Sequence, residues 1–231
     1  MNVRKSSSVR RTARRAAVIQ RVAYTGGMPP KVVIVDYGAG NLRSVARAVA
    51  HVGHEPVVTS DPADVASADA VILPGVGAAA DTMRNLREHD MVEPVREYIA
   101  SGRPFFGVCM GQQALLSVSE EGGEHACLDI IPGRVKKLPG GQKVPHMGWN
   151  QVRQTAPHPI FDGIPDESYF YFVHSYYPAP SDPAVIIGET DYGMRFASVL
   201  ARDNIVATQF HPEKSGEMGL RMYRNFLSSL S

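Results

Sequence analysis

A cysteine between glycines at the end of an apolar run constrains the fold of this chain more than any other feature. Residues 104–108 predict a buried strand that leads into Gly107-Val108-Cys109-Met110-Gly111, and an apolar helical pattern follows at 114–118. A nucleophile between a strand and a helix needs such glycines, because neighbouring side chains would clash in the tight turn. We therefore predict that Cys109 stands exposed at the end of a strand. The helix N-terminus there favours its thiolate. The alternative at this point is a structural cysteine in a glycine-rich turn.

Composition favours one domain in a reducing compartment. A chain of 231 residues with 44% hydrophobic residues can bury one sizeable core. Its two cysteines, Cys109 and Cys127, are too few for a disulfide framework, and we expect a cytoplasmic protein. No apolar run reaches the roughly 20 residues that a membrane-spanning helix needs, so no membrane association is expected. We predict no function for Cys127.

Charge divides the chain into a basic tail and an acidic body. Residues 1–27 hold seven basic residues and no acidic one, which leaves 17 of the 24 basic residues against 23 acidic ones in the body. We predict a dispensable, disordered tail followed by one domain at 28–231. A transit segment, a basic arm and a translation start at Met28 remain alternatives for the tail. The acidic body offers no basis for nucleic-acid binding, and we expect none.

The first half of the chain alternates strands with helices. Strands are predicted at 31–36, 56–58 and 70–73 and helices at 42–52, 78–86 and 92–100, before the strand that ends at Cys109. This order indicates a parallel sheet with helices on both faces. Gly38-x-Gly40 does not extend to a dinucleotide-binding loop, because Arg43 occupies the third glycine position. Asn41 is expected to cap the following helix, and a surface contact is the alternative.

The second half predicts an antiparallel extension of that sheet. Short strands are expected at 133–138, 143–144, 149–152, 169–173, 184–190 and 197–200, then a last strand at 205–209 and a closing helix at 218–227. The predicted fold class is α/β, a flavodoxin-like, mostly parallel sheet. Trp149 lies in a stretch bounded by proline and glycine. It predicts either a buried hairpin aromatic or a partner surface.

A histidine and a glutamate near the C-terminus complete a candidate catalytic set. His211 and Glu213 are two positions apart, which puts both side chains on one side of extended backbone. A carboxylate beside an imidazole fixes its tautomer and stabilises the imidazolium that forms in catalysis. With Cys109 they make a nucleophile, a base and an orienting group. No cysteine pair has zinc-ligand spacing, so we expect neither a metal nor a cofactor.

Two motifs carry a resemblance to a known family. Gly107-Val108-Cys109-Met110-Gly111-Gln112-Gln113 and Gln209-Phe210-His211-Pro212-Glu213-Lys214-Ser215 resemble those of the class I glutamine amidotransferases. Two further stretches resemble the glutaminase subunits of imidazole glycerol phosphate synthases: Asp36-Tyr37-Gly38-Ala39-Gly40-Asn41-Leu42 and Pro145-His146-Met147-Gly148-Trp149-Asn150. The likeness covers residues 32–231 and leaves out the tail.

The resemblance implies that Cys109 attacks the side-chain amide of glutamine. His211 would move the proton and Glu213 would orient His211. The oxyanion would be bound by the N–H groups of Val76 and Met110. The residues implied to hold glutamine are Gly75, Gly77, Gln113, His174, Ser175 and Tyr176.

The resemblance also implies a partner that uses the ammonia. This partner is a synthase (cyclase) subunit with a (β/α)₈ barrel fold, which forms a heterodimer with the glutaminase and makes imidazole glycerol phosphate and AICAR from PRFAR. Asn41, Met147 and Trp149 are the candidate contacts. Pro74-Gly75-Val76-Gly77 is hypothesised to switch the oxyanion donor when the partner is loaded. The alternatives are a glutaminase serving another synthase, such as that of pyridoxal phosphate, a cysteine hydrolase of related fold, and a catalytically idle interaction subunit.

Overall fold

The computed structural model describes residues 29–38 and 41–230. The predicted tail and the first residue of the predicted domain lie outside these residues. The described strands are β1 Val32–Val35, β2 Pro56–Thr59, β3 Ala70–Gly75, β4 Phe105–Cys109, β5 Val118–Ser119, β6 His125–Ala126, β7 Gly133–Lys137, β8 His146–Gln154, β9 Ser168–His174, β10 Tyr176–Pro180, β11 Ile186–Asp191, β12 Arg195–Arg202 and β13 Ile205–Thr208. The α-helices are α1 Leu42–His51, α2 Pro62–Ala66, α3 Ala79–Glu88, α4 Val92–Ala100, α5 Met110–Gln113 and α6 Gly216–Leu227. Short 3₁₀ turns lie at Pro159–Phe161, Pro183–Val185, Pro212–Lys214 and Ser228–Leu230.

A mixed sheet of nine strands forms the centre of the fold, in the order β2-β1-β3-β4-β13-β12-β11-β8-β9. The five strands from β2 to β13 are parallel, and the remaining four continue the sheet in antiparallel fashion. The parallel part has the strand order of flavodoxin-like proteins. The predicted α/β class with an antiparallel extension is therefore confirmed.

Alternate residues of the central strands enter two separate hydrophobic layers. Ile34, Ile72 and Phe106 face one layer, with apolar residues of α1 and α6. Their neighbours Val33, Val71 and Phe105 face the other layer, with residues of α3 and α4. A strand covered on both faces has no need of polar alternation, which is why these strands are continuous apolar runs. Within the described residues, none of the helices is long and apolar enough to cross a membrane.

Two predictions in the second half of the chain are wrong. Residues 143–144 form no strand, because they precede Pro145, which has no N–H to donate to a ladder. The strand β10 was not predicted because it contains Pro178 and Pro180. It is the edge strand of a second, four-stranded sheet in the order β10-β7-β5-β6, and an edge tolerates proline.

The predicted helix at 114–118 is also wrong. The helix after Cys109 ends at Gln113, and residues 118–119 form a strand instead. The carbonyl of Ala114 accepts from Leu128 N–H, and that of Leu115 accepts from the N–H groups of Ile130 and Ile131. These long-range bonds replace the bonds within a helix, so tertiary contacts override the local apolar pattern.

Candidate active site

Cys109 lies at the sharp turn between β4 and α5. Its backbone has φ 54° and ψ −106°, a conformation that few non-glycine residues adopt. A Cβ atom at Gly111 would lie 1.9 Å from the carbonyl oxygen of Leu73, and one at Gly107 would lie 2.8 Å from the carbonyl oxygen of Gly111. Both positions therefore require glycine, as the elbow pattern predicts. Cys109 is only 6% exposed, so the prediction of an exposed thiol is wrong: the sulfur is reached through a cavity.

His211 and Glu213 approach Cys109 from the neighbouring strand. β13 runs parallel to β4 with Thr208 opposite Val108, so the residues after each strand meet at one edge of the sheet. His211 is buried, and its Nδ1 atom lies 2.8 Å from Oε1 of Glu213, whose side chain is also buried. The amide of Gln209 donates to Cys109 Sγ at 3.7 Å. The three side chains of the predicted catalytic set are thus brought into one place.

The imidazole of His211 is poised to exchange a proton with Cys109. Its Nε2 atom is buried and makes no hydrogen bond to an N or O atom of the described residues. Burial by itself lowers the pKa of His211, but the charge and hydrogen bonding of Cys109, followed by those of Glu213, raise it to about 10. An imidazole that gains a proton beside a thiolate is the arrangement that an activated cysteine needs.

Asn41 binds the same carboxylate oxygen of Glu213 that His211 contacts. Its Nδ2 atom donates to Glu213 Oε1 at 2.7 Å. Asn41 occupies the predicted N-cap position of α1 with φ 77°, and its carbonyl oxygen accepts from Ser44 N–H, but its side chain makes no capping hydrogen bond. Asparagine tolerates this left-handed conformation better than most residues. Its side chain is therefore free to bind the carboxylate that orients His211.

A cavity of about 320 Å³ opens above Cys109. Its lining contains most of the residues that were predicted to contact glutamine or its oxyanion, namely Val76, Gly77, Met110, Gln113, His174, Ser175 and Tyr176. Gly75 does not line it. A Cβ atom at Gly75 would lie 2.5 Å from the hydroxyl of Tyr37 and 2.7 Å from Cβ of Met110, so this glycine serves close packing behind the wall.

Gln113 connects the wall of the cavity to Gln209, the residue that follows β13. Its Nε2 atom donates to the carbonyl oxygen of Tyr176 at 2.8 Å and to Oε1 of Gln209 at 2.9 Å. Its own Oε1 atom is buried without a hydrogen-bond partner in the described residues. A buried acceptor without a partner is costly, so a donor on a bound ligand would satisfy it.

Two residues of the site escaped the sequence analysis. Gln209 belongs to a quoted motif, but only the register of β13 against β4 puts its amide on the Cys109 sulfur. Glu121 lines the cavity, and its Oε2 atom accepts from the N–H of Ala79 at the start of α3. Nothing in the sequence distinguishes Glu121 from the neighbouring acidic residues of a glycine-rich turn.

The predicted partner contacts lie on one region of the surface close to the triad. Met147 and Trp149 point from the same face of β8 and are 61% and 56% exposed. The Trp149 ring lies 6.0 Å from that of Tyr171, and the ammonium of Lys214 lies 6.0 Å from the Tyr171 ring. Asn41 lies beside this region, because it donates a hydrogen bond to Glu213, the residue that precedes Lys214 in the chain. Among the described residues, no element covers this exposed apolar face.

Fold and site together define a class: an α/β protein with a cysteine, a histidine and a glutamate around a cavity at the carboxyl edge of its parallel strands. The described residues contain no group of three or more His, Cys, Asp or Glu side chains that could hold a metal ion. Comparison with known proteins agrees with this class. Residues 33–230 match the family model of class I glutamine amidotransferases.

Relatives narrow the family further. The chain is 52% identical over 195 residues to the HisH subunit of imidazole glycerol phosphate synthase from Dehalococcoides mccartyi (strain CBDB1), covering 84% of this chain and 95% of that protein. It is 51% identical over 195 residues to the HisH subunit from Moorella thermoacetica, covering 84% and 93%. The chain therefore belongs to the class I glutamine amidotransferase family, and within it to the HisH subunits of imidazole glycerol phosphate synthase. Being a subunit implies a partner subunit.

Solved structures support the fold alone. A glutamine amidotransferase matches with a TM-score of 0.68 at 20% identity, covering 85% of this chain and 97% of that chain. A chain of PurLQS from Thermotoga maritima matches with a TM-score of 0.69 at 16% identity, covering 87% and 98%. At such identities the shared feature is the arrangement of strands and helices.

Proposed function

We propose that the protein hydrolyses the side-chain amide of glutamine to glutamate and ammonia and delivers the ammonia to a synthase subunit in histidine biosynthesis. The observation that carries this proposal is a cavity lined by Cys109 and by His211, which Glu213 contacts from behind. The same cavity holds the unpartnered Oε1 of Gln113 and the carboxylate of Glu121. Membership of the HisH subunits supports the choice of substrate and pathway.

Glutamine would lie with its side-chain amide on Cys109 and its amino-acid end towards Tyr176. The carboxylate of Glu121 suits the α-ammonium group, since its second oxygen is held by Ala79 N–H. The unpartnered Oε1 of Gln113 would accept another N–H of the substrate. The segment from His174 to Tyr176 would form the opposite wall.

In the reaction, Cys109 Sγ attacks the amide carbon and His211 accepts the thiol proton. The tetrahedral oxyanion would be stabilised by the N–H groups of Val76 and Met110. His211 then gives its proton to the leaving nitrogen, ammonia departs and a γ-glutamyl thioester remains on Cys109. Water, deprotonated by His211, attacks the thioester, and the proton returns to the sulfur as glutamate leaves. Glu213 keeps the imidazole in the orientation that both transfers need.

The oxyanion donor at Val76 is proposed to switch with the state of the partner. Val76 is 38% exposed at the cavity, and Gly77 has φ 93°, which only glycine adopts at little cost. Gly75 has no room for a side chain, because Tyr37 and Met110 pack against it. The proposed flip is therefore assigned to the peptide bond between Val76 and Gly77. We expect a low glutaminase rate in the isolated subunit.

The partner is proposed to be a (β/α)₈-barrel synthase subunit that forms a heterodimer with this chain. It would convert PRFAR to imidazole glycerol phosphate and AICAR with the ammonia. It would cover the exposed face at Met147 and Trp149, where ammonia would otherwise be lost to water. The proposal places the protein in the cytoplasm, with the domain at 28–231, a dispensable tail at 1–27, and neither a membrane nor a nucleic acid as a partner.

A glutamate-release assay tests this function. We expect glutamate release with the barrel subunit and its nucleotide, and little without them. Cys109→Ala should lower the rate more than about a thousandfold. Cys127→Ser is the control, because Cys127 is buried away from the cavity and burial raises the pKa of its thiol to about 11. Glutamate release that survives Cys109→Ala would overturn the mechanism. Activation only by a pyridoxal phosphate synthase would overturn the pathway, and cleavage of peptides would favour a hydrolase.

A further inference from the structure

Two histidines outside the triad touch each other beside the cavity. His146 on β8 and His174 at the end of β9 are opposite each other in the antiparallel pair. Both are buried, and Nδ1 of His146 lies 3.0 Å from Nε2 of His174. At this distance one nitrogen must carry a hydrogen and the other must be bare.

The other nitrogen of His174 decides which of them donates. Its Nδ1 atom lies 2.9 Å from the carbonyl oxygen of Tyr176, which can only accept a hydrogen bond. Nδ1 must therefore carry the hydrogen. In a neutral ring Nε2 is then bare, so it accepts from Nδ1–H of His146.

The same argument extends to Asn150. Because His146 carries its hydrogen on Nδ1, its Nε2 atom is an acceptor, and the Nδ2 atom of Asn150 lies 3.2 Å away. The orientation of this amide is determined by its other contacts: Oδ1 accepts from Gln151 N–H at 2.8 Å, and Nδ2 also donates to the carbonyl oxygen of Asp191 at 2.9 Å. Every hydrogen bond therefore runs one way, from Asn150 through His146 and His174 to Tyr176. We call Asn150, His146 and His174 the imidazole chain.

Aromatic packing holds the first ring in place. His146 is nearly parallel to Phe172 at 4.8 Å and to Tyr192 at 3.9 Å between ring centroids. The hydroxyl of Tyr192 donates to the carbonyl oxygen of Lys143. Stacked neighbours restrict rotation of the ring, so the donor on Nδ1 stays aimed at His174.

The imidazole chain requires both rings to be neutral. Burial lowers the pKa of His146 to about 4 and that of His174 to about 3. A protonated His174 would donate from both nitrogens, so His146 would have to turn a donor towards the amide of Asn150. It would also place a positive charge near His211, where an imidazolium forms during the reaction.

The chain ends at the wall of the cavity. The carbonyl oxygen of Tyr176 accepts from His174 and also from Gln113 Nε2 at 2.8 Å. His174, Tyr176 and Gln113 all line the cavity. Two donors on one carbonyl determine the direction of the peptide in the cavity wall.

We propose that Asn150 and His146 are positioning residues of the glutamine site: they hold His174 as a neutral Nδ1–H imidazole, which with Gln113 sets the Tyr176 carbonyl in the cavity wall. Neither residue touches the substrate. The inference rests on the proposed function only for its effect on glutamine binding, since the tautomers follow from the hydrogen bonds alone.

Nuclear magnetic resonance of the full chain with ¹⁵N-labelled histidine tests the tautomers directly. We expect His146 and His174 to show the neutral Nδ1–H pattern at pH 7, with assignments from the loss of one ring in His146→Asn and in His174→Gln. In Asn150→Asp the carboxylate can only accept, so the His146 ring should acquire a hydrogen on Nε2. A charged His174, or one with its hydrogen on Nε2, in the wild-type protein would overturn the inference.

Glutaminase kinetics with the barrel subunit and its nucleotide test the positioning role. His146→Phe keeps the stacking but removes the donor, and we expect KM for glutamine to rise about tenfold while kcat changes less than about threefold. His146→Asn returns a donor to nearly the place of Nδ1 and should restore most of the KM. Equal loss in both variants, or a change in kcat alone, would overturn the role. A wild-type protein that releases no glutamate would instead refute the proposed function, and the tautomer result would still stand.

Discussion

The side chains of the candidate triad are supported by amide groups from distant parts of the chain. Asn41 donates to Glu213, and Gln209 donates to the sulfur of Cys109. The amide of Gln113 binds Gln209 in turn. Side chains that are already fixed by hydrogen bonds need not be ordered when the substrate binds. Catalysis benefits from such preorganised geometry. The surrounding amides therefore help to hold the geometry of the candidate triad.

The first prediction concerns the proton shared by Cys109 and His211. Cys109→Ser should lower the pKa of His211 from about 10, because Cys109 contributes most to raising this pKa and burial would then oppose the imidazolium with less compensation. The raised pKa of the folded state means that the stability contributed by His211 is complete below about pH 6.5 and is lost as the pH rises towards 10. A ¹H titration of the His211 ring measures the change. Cys127→Ser should leave that titration unaltered, and an unchanged pKa in Cys109→Ser would contradict the coupling.

Among the elements, the junction of β4 and α5 is closely packed against a neighbouring strand. The helix has four residues and is too short to be stable alone, so its position depends on packing against β3. Gly111 lets the first turn of α5 approach the carbonyl of Leu73, and Cys109 has positive φ at the same turn. The antiparallel strand β8 has two different faces: one is exposed to solvent at Trp149, and the other carries the buried His146.

The second prediction tests the close approach at the elbow. Gly111→Ala should lower the free energy of unfolding by about 3 kcal/mol, because its Cβ would overlap the Leu73 carbonyl, and overpacking of this kind strains the backbone. Gly140→Ala is the matched control, since a Cβ there has no neighbour within 4 Å and should change stability by less than about 0.5 kcal/mol. Urea unfolding measures both. Equal stability of the two variants would refute the packing argument.

At the scale of the whole molecule, the sheet separates two exposed apolar regions. β2 lies at one end of the nine-stranded sheet and exposes Val58, whereas β8 and β9 lie at the other end and expose Met147, Trp149 and Tyr169. Within the described residues, the second region is connected to the triad: Trp149 packs against Tyr171, whose carbonyl oxygen accepts from His211 N–H. An exposed aromatic patch beside an active site is typical of an interface that forms over it.

The third prediction therefore assigns the partner to the β8–β9 end. Trp149→Ala should weaken binding of the barrel subunit about thirtyfold, as expected for an aromatic anchor at the centre of an interface. Val58→Ala changes an exposed apolar residue at the opposite end and should leave the affinity within about twofold. Titration calorimetry measures both affinities. An unaltered affinity in Trp149→Ala, or a loss in Val58→Ala, would place the partner elsewhere.

Sequence patterns predicted the structure correctly where it depends on interactions between residues that are close in the chain. The continuous apolar runs of the central strands could only be buried on both faces, and the glycines around Cys109 could only serve a tight turn. Those patterns predicted the parallel sheet, the elbow and the neighbouring His211 and Glu213. Local patterns failed at residues 114–118, where long-range hydrogen bonds replaced a helix, and at Asn41, whose side chain binds Glu213 rather than the helix.

Motifs and patterns in the sequence were enough to establish the fold class, the cysteine elbow and the family, because each single motif or element consists of residues adjacent in the chain. Only the tertiary structure decided that Gln209 reaches the Cys109 sulfur, that Glu121 lines the cavity and that His146 supports His174. The physical reason is that these contacts depend on strand register and on the direction of individual hydrogen bonds. Both are set when distant segments pack together, and neither leaves a repeating pattern in the sequence.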